Sequence, residues 1–124
     1  MTKPRLLLFY ERLLPGTQLV NRLEDLGYEV RTVGAVEDLP VVTAAWKPLL
    51  VLADLESSRG NVVEAVRRIR QDPGTSHVPV LGFCGGRVGD LMERAREAGA
   101  TLVVQDVALV QHLAQWLDQA LEVD

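Results

Sequence analysis

The sequence predicts an α/β domain in which helices cover both faces of a parallel sheet. Short apolar runs alternate five times with longer segments in which apolar residues recur at helical spacing. The central run, residues 49–54, stays apolar until its last residue, Asp54, as expected for a strand that is buried on both faces. Pro48 can begin such a strand but could not lie inside it, because proline has no N–H for the ladder.

The predicted strands are residues 6–10, 28–32, 49–54, 78–83 and 102–104. The second of them alternates apolar and charged residues, which is typical of an edge strand with one wet face. The first, third and fourth are the most apolar and therefore belong inside the sheet. Repeated β-α units need right-handed crossovers, and this arrangement favours a single doubly wound (βα)5 domain of strand order 2-1-3-4-5, the flavodoxin-like topology.

The helices are predicted from caps and apolar spacing. The first follows a loop at residues 12–16, begins at the N-cap Thr17 and ends at Gly27. The second covers residues 36–46, where a proline is tolerated only in the first turn. The predicted N-caps of the other three helices are Asn61, Asp90 and Asp106. The apolar residues expected to face the sheet from the last helix are Val110, Leu113, Leu117 and Leu121.

Composition limits the class of protein. The 124 residues suit one domain, residues 1–124, and we expect no output domain within it. The net charge of −4 and the lack of a basic block argue against a nucleic-acid partner. One cysteine excludes an internal disulfide, and two histidines make a zinc site improbable. The first apolar run is too short for a signal peptide or a membrane span, so we expect a cytoplasmic protein with no membrane partner.

Asp54 is the first candidate for a functional side chain. It ends the central strand, and open α/β sheets place their sites at the carboxyl ends of strands. The alternative is that Asp54 only caps a turn, because aspartate is common wherever strands end. Position alone leaves both interpretations open.

Five stretches carry a family resemblance: LGYEV at 26–30, KPLLVLADL at 47–55, VRRIRQDP at 66–73, HVPVL at 77–81 and RAREAGA at 94–100. In this order and spacing, over essentially the whole length, the chain resembles the receiver domain of two-component response regulators. The resemblance places Asp54 at the phospho-acceptor position of the family.

The other site positions of the family are filled differently in this chain. The adjacent acidic pair that holds Mg²⁺ corresponds to Tyr10 and Glu11. The Thr or Ser that bonds the phosphoryl group corresponds to Cys84, a poor donor. The Lys after the fifth strand corresponds to Gln105, or to Asp106 if the gap is placed differently, and neither is a cation.

The resemblance implies at most a weak Mg²⁺ site, formed by Glu11, Asp54 and a backbone carbonyl near Glu56. Apart from that ion, we expect no cofactor. Each lost carboxylate, hydroxyl or ammonium is worth ~1–3 kcal/mol where it meets a charge, so phosphoryl transfer to Asp54 should be slow.

The leading hypothesis is therefore a stand-alone, degenerate receiver (a pseudo-receiver) that acts as a protein-interaction module in phosphorelay signalling. It would not be an enzyme beyond slow self-phosphorylation at Asp54. One alternative is a working Mg²⁺-dependent phospho-acceptor that uses Asp54. Another is a flavodoxin-like binder of anions or small ligands, held by the loops at residues 57–60 and 84–87.

No catalytic residues are predicted. His77 precedes the fourth strand, at the sheet end opposite Asp54, and His112 lies in the last helix, so neither pairs with a nucleophile. Cys84 is either a redox-sensitive thiol in a glycine loop or, more commonly for this residue type, a small buried hydrophobe.

In the receiver family, the fourth helix, fifth strand and fifth helix often form the partner or dimer face. The resemblance thus implies contact there with another signalling protein or with a second copy of the chain. The residues expected on this face are Arg87, Met92, Arg96, Val103, Leu109, His112 and Trp116. Trp116 is either an exposed interface residue or a cover for the rim of the core.

Overall fold

The structure, a computed structural model, describes residues 3–57, 60–85 and 89–122. In chain order its elements are β1 (Arg5–Phe9), α1 (Leu13–Asp25), β2 (Glu29–Val33), α2 (Asp38–Trp46), β3 (Leu50–Asp54), α3 (Val62–Gln71), β4 (Val80–Cys84), α4 (Gly89–Glu97), β5 (Leu102–Gln105), α5 (Asp106–Gln111) and α6 (Leu113–Glu122). The strands form one parallel sheet of order β2-β1-β3-β4-β5. The predicted flavodoxin-like topology is confirmed.

Two apolar cores lie on opposite faces of the sheet, because successive residues of a strand point to opposite sides. Leu7 of β1 and Val51 of β3 pack in the core that α2, α3 and α4 cover. Leu6 and Leu50, one residue earlier in each strand, pack in the core that α1, α5 and α6 cover. The central strands are thus enclosed on both sides, which explains their unbroken apolar sequence.

Most strand limits differ from the predicted ones by one or two residues. β4 begins at Val80, because Val78 still belongs to the preceding turn, where its N–H bonds the carbonyl of Thr75. Cys84 is the last residue of β4 and not a loop residue, and β5 extends to Gln105. The carboxyl edge of the sheet therefore includes two positions that the prediction assigned to loops.

The start of α1 was predicted wrongly. The helix begins at Leu13, with non-helical dihedrals at Leu14, and includes the segment that was expected to be a loop. Thr17 lies inside the helix, where its hydroxyl donates to the carbonyl of Leu13, so it is not the N-cap. The predicted end is confirmed, since Gly27 has a φ of +96°, which an L side chain rarely adopts.

The other caps give a mixed result. Asn61 caps α3 as predicted, because its side chain accepts a hydrogen bond from the N–H of Glu64 at 3.0 Å. Pro40 lies in the first turn of α2, where it is tolerated. Asp90 lies inside α4, which begins one residue earlier at Gly89, so it does not cap that helix.

The last predicted helix is two helices. The chain leaves helical geometry at His112, between α5 and α6. Asp106 is the first residue of α5 and its predecessor takes the N-cap position, so the predicted cap is wrong. The buried residues of this segment are Leu109, Leu113, Leu117 and Ala120, in place of the predicted Val110 and Leu121. Within the described ranges, no helix is both long and apolar enough to cross a membrane.

Candidate functional site

The candidate site lies at the carboxyl edge of the sheet, around the last residue of β3. Asp54 is 0% exposed although it carries a carboxylate. A buried carboxylate needs hydrogen-bond donors and a counter-ion, because removing an unpaired charge from water is costly. The structure supplies both to Asp54.

Arg12 is the counter-ion, and it comes from the connection between β1 and α1. Its Nε donates to Oδ2 of Asp54 at 2.9 Å and its Nη2 donates to Oδ1 at 3.0 Å. The backbone N–H of Glu56 adds a third bond, to Oδ1, at 3.1 Å. Two parallel bonds between a guanidinium and a carboxylate are the strongest ion-pair geometry in proteins. Both oxygens of Asp54 are therefore engaged.

The third nitrogen of the same guanidinium faces two further carboxylates. Nη1 of Arg12 donates to Oδ2 of Asp106 at 3.1 Å and lies 3.4 Å from Oε2 of Glu56. One positive charge is thus shared by three negative ones, which leaves this cluster a formal charge of −2. The pKa of Arg12 is raised above its ordinary value, chiefly by the hydrogen bond to Asp54. The cluster links the segments that follow β1, β3 and β5.

Glu56 also joins the segment after β4 to the cluster. The N–H of Gly85 donates to Oε2 of Glu56 at 2.6 Å. A Cβ at position 85 would lie 3.2 Å from that oxygen, a tight contact that glycine avoids. Four of the five strands, β1, β3, β4 and β5, therefore end at one charged network around Arg12.

Tyr10 and Glu11, at the acidic-pair positions, do not add two carboxylates to this network. Tyr10 is partly buried and packs against the core on the α1 side of the sheet. The carboxylate of Glu11 accepts a hydrogen bond from the hydroxyl of Ser57, in the segment after β3. The resemblance implies two metal-binding acids here, and the structure gives one aromatic ring and one acid that is bonded to a serine.

The residues present do not fit a Mg²⁺ ion as they are arranged. A hard cation needs several free oxygen ligands, whereas both oxygens of Asp54 accept hydrogen bonds from Arg12. In the part of the chain that the structure describes, no three His, Cys, Asp or Glu side chains are grouped to hold a metal ion. Mg²⁺ could bind at the predicted weak site, Glu11 and Asp54, only after Arg12 had released Asp54.

Cys84 and Gln105 stand side by side at the ends of β4 and β5. Cys84 is fully buried in the core beneath α2, α3 and α4, which fits the small-hydrophobe interpretation. Burial, and to a lesser extent the carboxylates of Glu56 and Asp106, raises the pKa of Cys84 to about 11. Gln105 is exposed and uncharged. Neither residue supplies the hydroxyl or the cation that the resemblance implies.

Sequence reasoning missed Arg12, because it searched for a cation only after the fifth strand. A signal was present: Arg12 follows β1 closely, and β1 and β3 are neighbours in the sheet. A basic residue at that point of a doubly wound sheet lies at the same edge as Asp54. The carboxylates of Glu56 and Asp106 were also not expected to act as partners of an arginine.

Part of the predicted partner face is buried. Val103 is 7% exposed and Leu109 is 0% exposed, so both belong to the core and cannot contact a partner. Their assignment was wrong because β5 is covered on both faces and α5 turns Leu109 toward the sheet. Arg87 lies outside the described residues.

The other residues of that face remain partly accessible. Arg96 is half-exposed and pairs with Glu93, and His112 is exposed at the break between α5 and α6. Met92 is half-buried and packs against the core. The indole N–H of Trp116 donates to the carbonyl of Ala108 at 3.1 Å, and the ring packs on the core, which favours the rim interpretation.

The loops offered as an anion cradle are described only in part, because residues 58–59 and 86–88 lie outside the described ranges. His77 lies beside Pro79 and Thr101, before β4 and β5, and thus at the sheet end opposite Asp54, as predicted.

The sequence matches no protein-family model and no curated protein. Solved structures with the same fold are nevertheless numerous. A LuxR-family two-component response regulator from Aurantimonas sp. SI85-9A1 is 24% identical, with a TM-score of 0.80 over 97% of this chain and 86% of that one. Chemotaxis protein CheY4 of Vibrio cholerae is 16% identical, with a TM-score of 0.84 over 96% and 99% of the two chains.

A third similar structure is a response regulator from Burkholderia pseudomallei that contains a phosphorylated aspartic acid, a calcium ion and citrate. It is 17% identical, with a TM-score of 0.80 over 98% of this chain and 68% of that one. At these identities the similarity establishes the fold, which is that of receiver domains.

Proposed function

We propose that this chain is a receiver-like domain of two-component signalling that acts as a protein-interaction module, with Asp54 held by Arg12. The observation that carries the proposal is the pair of hydrogen bonds, at 2.9 and 3.0 Å, that engages both oxygens of Asp54. A carboxylate must present a free lone pair in line with phosphorus to accept a phosphoryl group. Arg12 takes one lone pair of each oxygen, and the N–H of Glu56 takes a second one on Oδ1.

The proposal also rests on what surrounds Asp54. The buried thiol of Cys84 and the neutral Gln105 provide neither a hydroxyl to hydrogen-bond a phosphoryl group nor a cation to pair with its negative charge. A domain with such a site would keep one conformation, and a partner protein could recognise its surface in that conformation. The proposed partner is another signalling protein, or a second copy of the chain, that contacts the accessible residues Met92, Arg96 and His112 beside Trp116.

The test compares amide NMR spectra of the chain before and after addition of Mg²⁺ with beryllofluoride, a mimic of a phosphoryl group. We expect the amides of α4, β5 and α5 to keep their positions, whereas a receiver domain with two adjacent acids, measured in parallel, should shift. Shifts that begin at Asp54 and extend to Met92 and His112 would show a working switch and overturn the proposal.

A working phospho-acceptor is the second candidate, and one observation favours it. Asp54 ends the central strand at the sheet edge where the fold places its sites, and the Burkholderia pseudomallei neighbour carries a phosphorylated aspartic acid. In this alternative, Arg12 would release Asp54 and pair with the phosphoryl oxygens. The beryllofluoride experiment separates the two candidates.

A further inference from the structure

A groove with both basic and apolar lining residues lies at the amino edge of the sheet, at the opposite end from Asp54. It has a cavity volume of about 610 Å³ and is formed by the segments that lead into β3, β4 and β5. Three of its lining side chains are basic: Lys47, Arg70 and His77. No Asp or Glu is among the described residues that line it. In a chain of net charge −4, this groove has a local excess of positive charge.

The donors of the groove are largely unused. Among the described residues, no side chain pairs with Lys47 or His77, and the hydroxyl of Ser76, which also lines the groove, has no bonded partner. Arg70 makes one hydrogen bond through Nη1, which leaves its Nε and Nη2 to donate elsewhere. Four side chains that can donate to an oxyanion therefore line one groove, and each keeps at least one donor without an acceptor in the described part of the chain.

Arg70 of α3 is held in place by contacts with two neighbouring segments. Its Nη1 donates to the carbonyl of Val78 at 2.8 Å. Its stem lies against Gly99, where a Cβ would come within 2.9 Å of Cβ of Arg70. A fixed guanidinium loses less conformational entropy on binding than a free one.

Further positive charge lies nearby. The guanidinium groups of Arg5 and Arg31 lie 5.3 and 5.9 Å from the ring centre of Trp46, the residue before Lys47. Neither arginine has an ion-pair partner in the described part of the chain, unlike Arg12 at the other edge. Glu29 is the sheet neighbour of Arg5, but the two arginines add to the positive charge of Lys47 and Arg70 and would help to attract an anion to this edge.

We propose that this groove binds a small molecule that carries an oxyanion, a phosphate or carboxylate group, on an apolar body. Lys47, Arg70 and His77 would hold the oxyanion by charge-assisted hydrogen bonds. Leu49 and Leu121, which are 51% and 37% exposed and also line the groove, would contact the apolar part. The volume lies within the ordinary range of small-molecule sites.

The test is an NMR titration of the full chain with phenyl phosphate, benzoate and inorganic phosphate in separate arms. We expect saturable shifts of Ser76, His77 and Thr101 with phenyl phosphate or benzoate, and the tighter of the two identifies the oxyanion. Inorganic phosphate should bind more weakly because it has no apolar body. Affinity should fall as salt is raised.

The variants are matched for charge. Arg70→Gln should weaken binding about tenfold, as expected for the loss of a charge-assisted bond. The control is Arg68→Gln, on the exposed face of the same helix, which should change the affinity less than about twofold. Lys47→Gln, which leaves the bond from Arg70 to Val78 intact, should also weaken binding and covers the case in which Arg70→Gln does not fold. Shifts that do not saturate, or equal effects of Lys47→Gln and Arg68→Gln, would overturn the proposal.

Discussion

Arg12 and Asp54 are 42 positions apart in the sequence and form a two-bond ion pair across the ends of the adjacent strands β1 and β3. The carboxylate is fully buried, and the side chain of the arginine is 34% exposed. The positive charge that the receiver resemblance places after the fifth strand is thus supplied after the first. It contacts Asp54 itself, the residue that the resemblance places at the phospho-acceptor position.

Removing the guanidinium should destabilise the fold. Arg12→Gln leaves Asp54 buried without its counter-ion, and breaking a buried pair in this way costs about 3 kcal/mol. Arg12→Lys should recover only part of the loss, because an ammonium cannot form two parallel bonds. Urea unfolding measures the change. Arg68→Gln, which breaks an exposed pair with Glu64, is the control and should stay within about 0.5 kcal/mol of the native chain. An equally small effect of Arg12→Gln would contradict the buried pair.

Mg²⁺ should change the thermal stability of Arg12→Gln but not that of the native chain. The unfolding temperature of the native chain should be equal in millimolar Mg²⁺ and in a chelator, because Arg12 already bonds both oxygens of Asp54. In Arg12→Gln, the carboxylates of Asp54, Glu56 and Asp106 lack their counter-ion, so Mg²⁺ should raise the unfolding temperature by mass action. Thermal scans with and without Mg²⁺ give the answer. A rise for the native chain would show that a metal ion displaces Arg12.

Cys84 should be unreactive in the folded chain. Burial raises its pKa to about 11, so at pH 8 almost no thiolate forms, and the thiol is also shielded from reagents. Alkylation by iodoacetamide at pH 8 should be at least ~100-fold slower than in the guanidinium-unfolded chain. Equal rates would favour the redox-sensitive interpretation.

The same pKa predicts a pH dependence of stability. The folded thiol keeps its proton where the unfolded thiol, with a pKa near 9, loses it. The contribution of Cys84 is therefore complete below pH 9 and declines between pH 9 and about 11. Cys84→Ala should lack this alkaline decline in urea unfolding, and an identical decline in both chains would exclude Cys84 as its cause.

Gly16 should be intolerant of a side chain because of Tyr10. A Cβ at position 16 would lie 2.1 Å from Cδ2 of the Tyr10 ring, so the ring would have to move. We expect Gly16→Ala to cost about 1–3 kcal/mol in thermal or urea unfolding, the usual range for overpacking. Gly34→Ala is the matched control, since nothing lies within 4 Å of its Cβ, and similar losses in both variants would contradict this contact.

The sheet and its strand order followed from the sequence because burial on two faces produces long apolar runs, such as that of β3. The break between α5 and α6 could not be predicted in the same way. Leu109, Leu113 and Leu117 keep helical spacing across His112, so the apolar pattern continues where the backbone does not. Periodicity reports which side chains face the core, and it does not report the local dihedral angles.

Asp54 was predictable because a carboxylate at the end of an apolar strand is a local signal. Its pairing with Arg12 was not, because the partners of Arg12 lie 42 and 94 positions away and meet only when the strand ends come together. The bond from Arg70 to Val78 could not be predicted for a related reason: its acceptor is a backbone carbonyl, which leaves no trace in side-chain patterns.

The most direct test of the central claim, that Arg12 keeps Asp54 from accepting a phosphoryl group, is the intact mass of the chain after incubation with acetyl phosphate and Mg²⁺. Asp54→Asn serves as the control, with circular dichroism to verify its fold, and a receiver domain with two adjacent acids verifies the reagent. We predict an unchanged mass for the native chain. A phosphoryl adduct on the native chain that is missing from Asp54→Asn would show that Asp54 is an acceptor and would contradict the account.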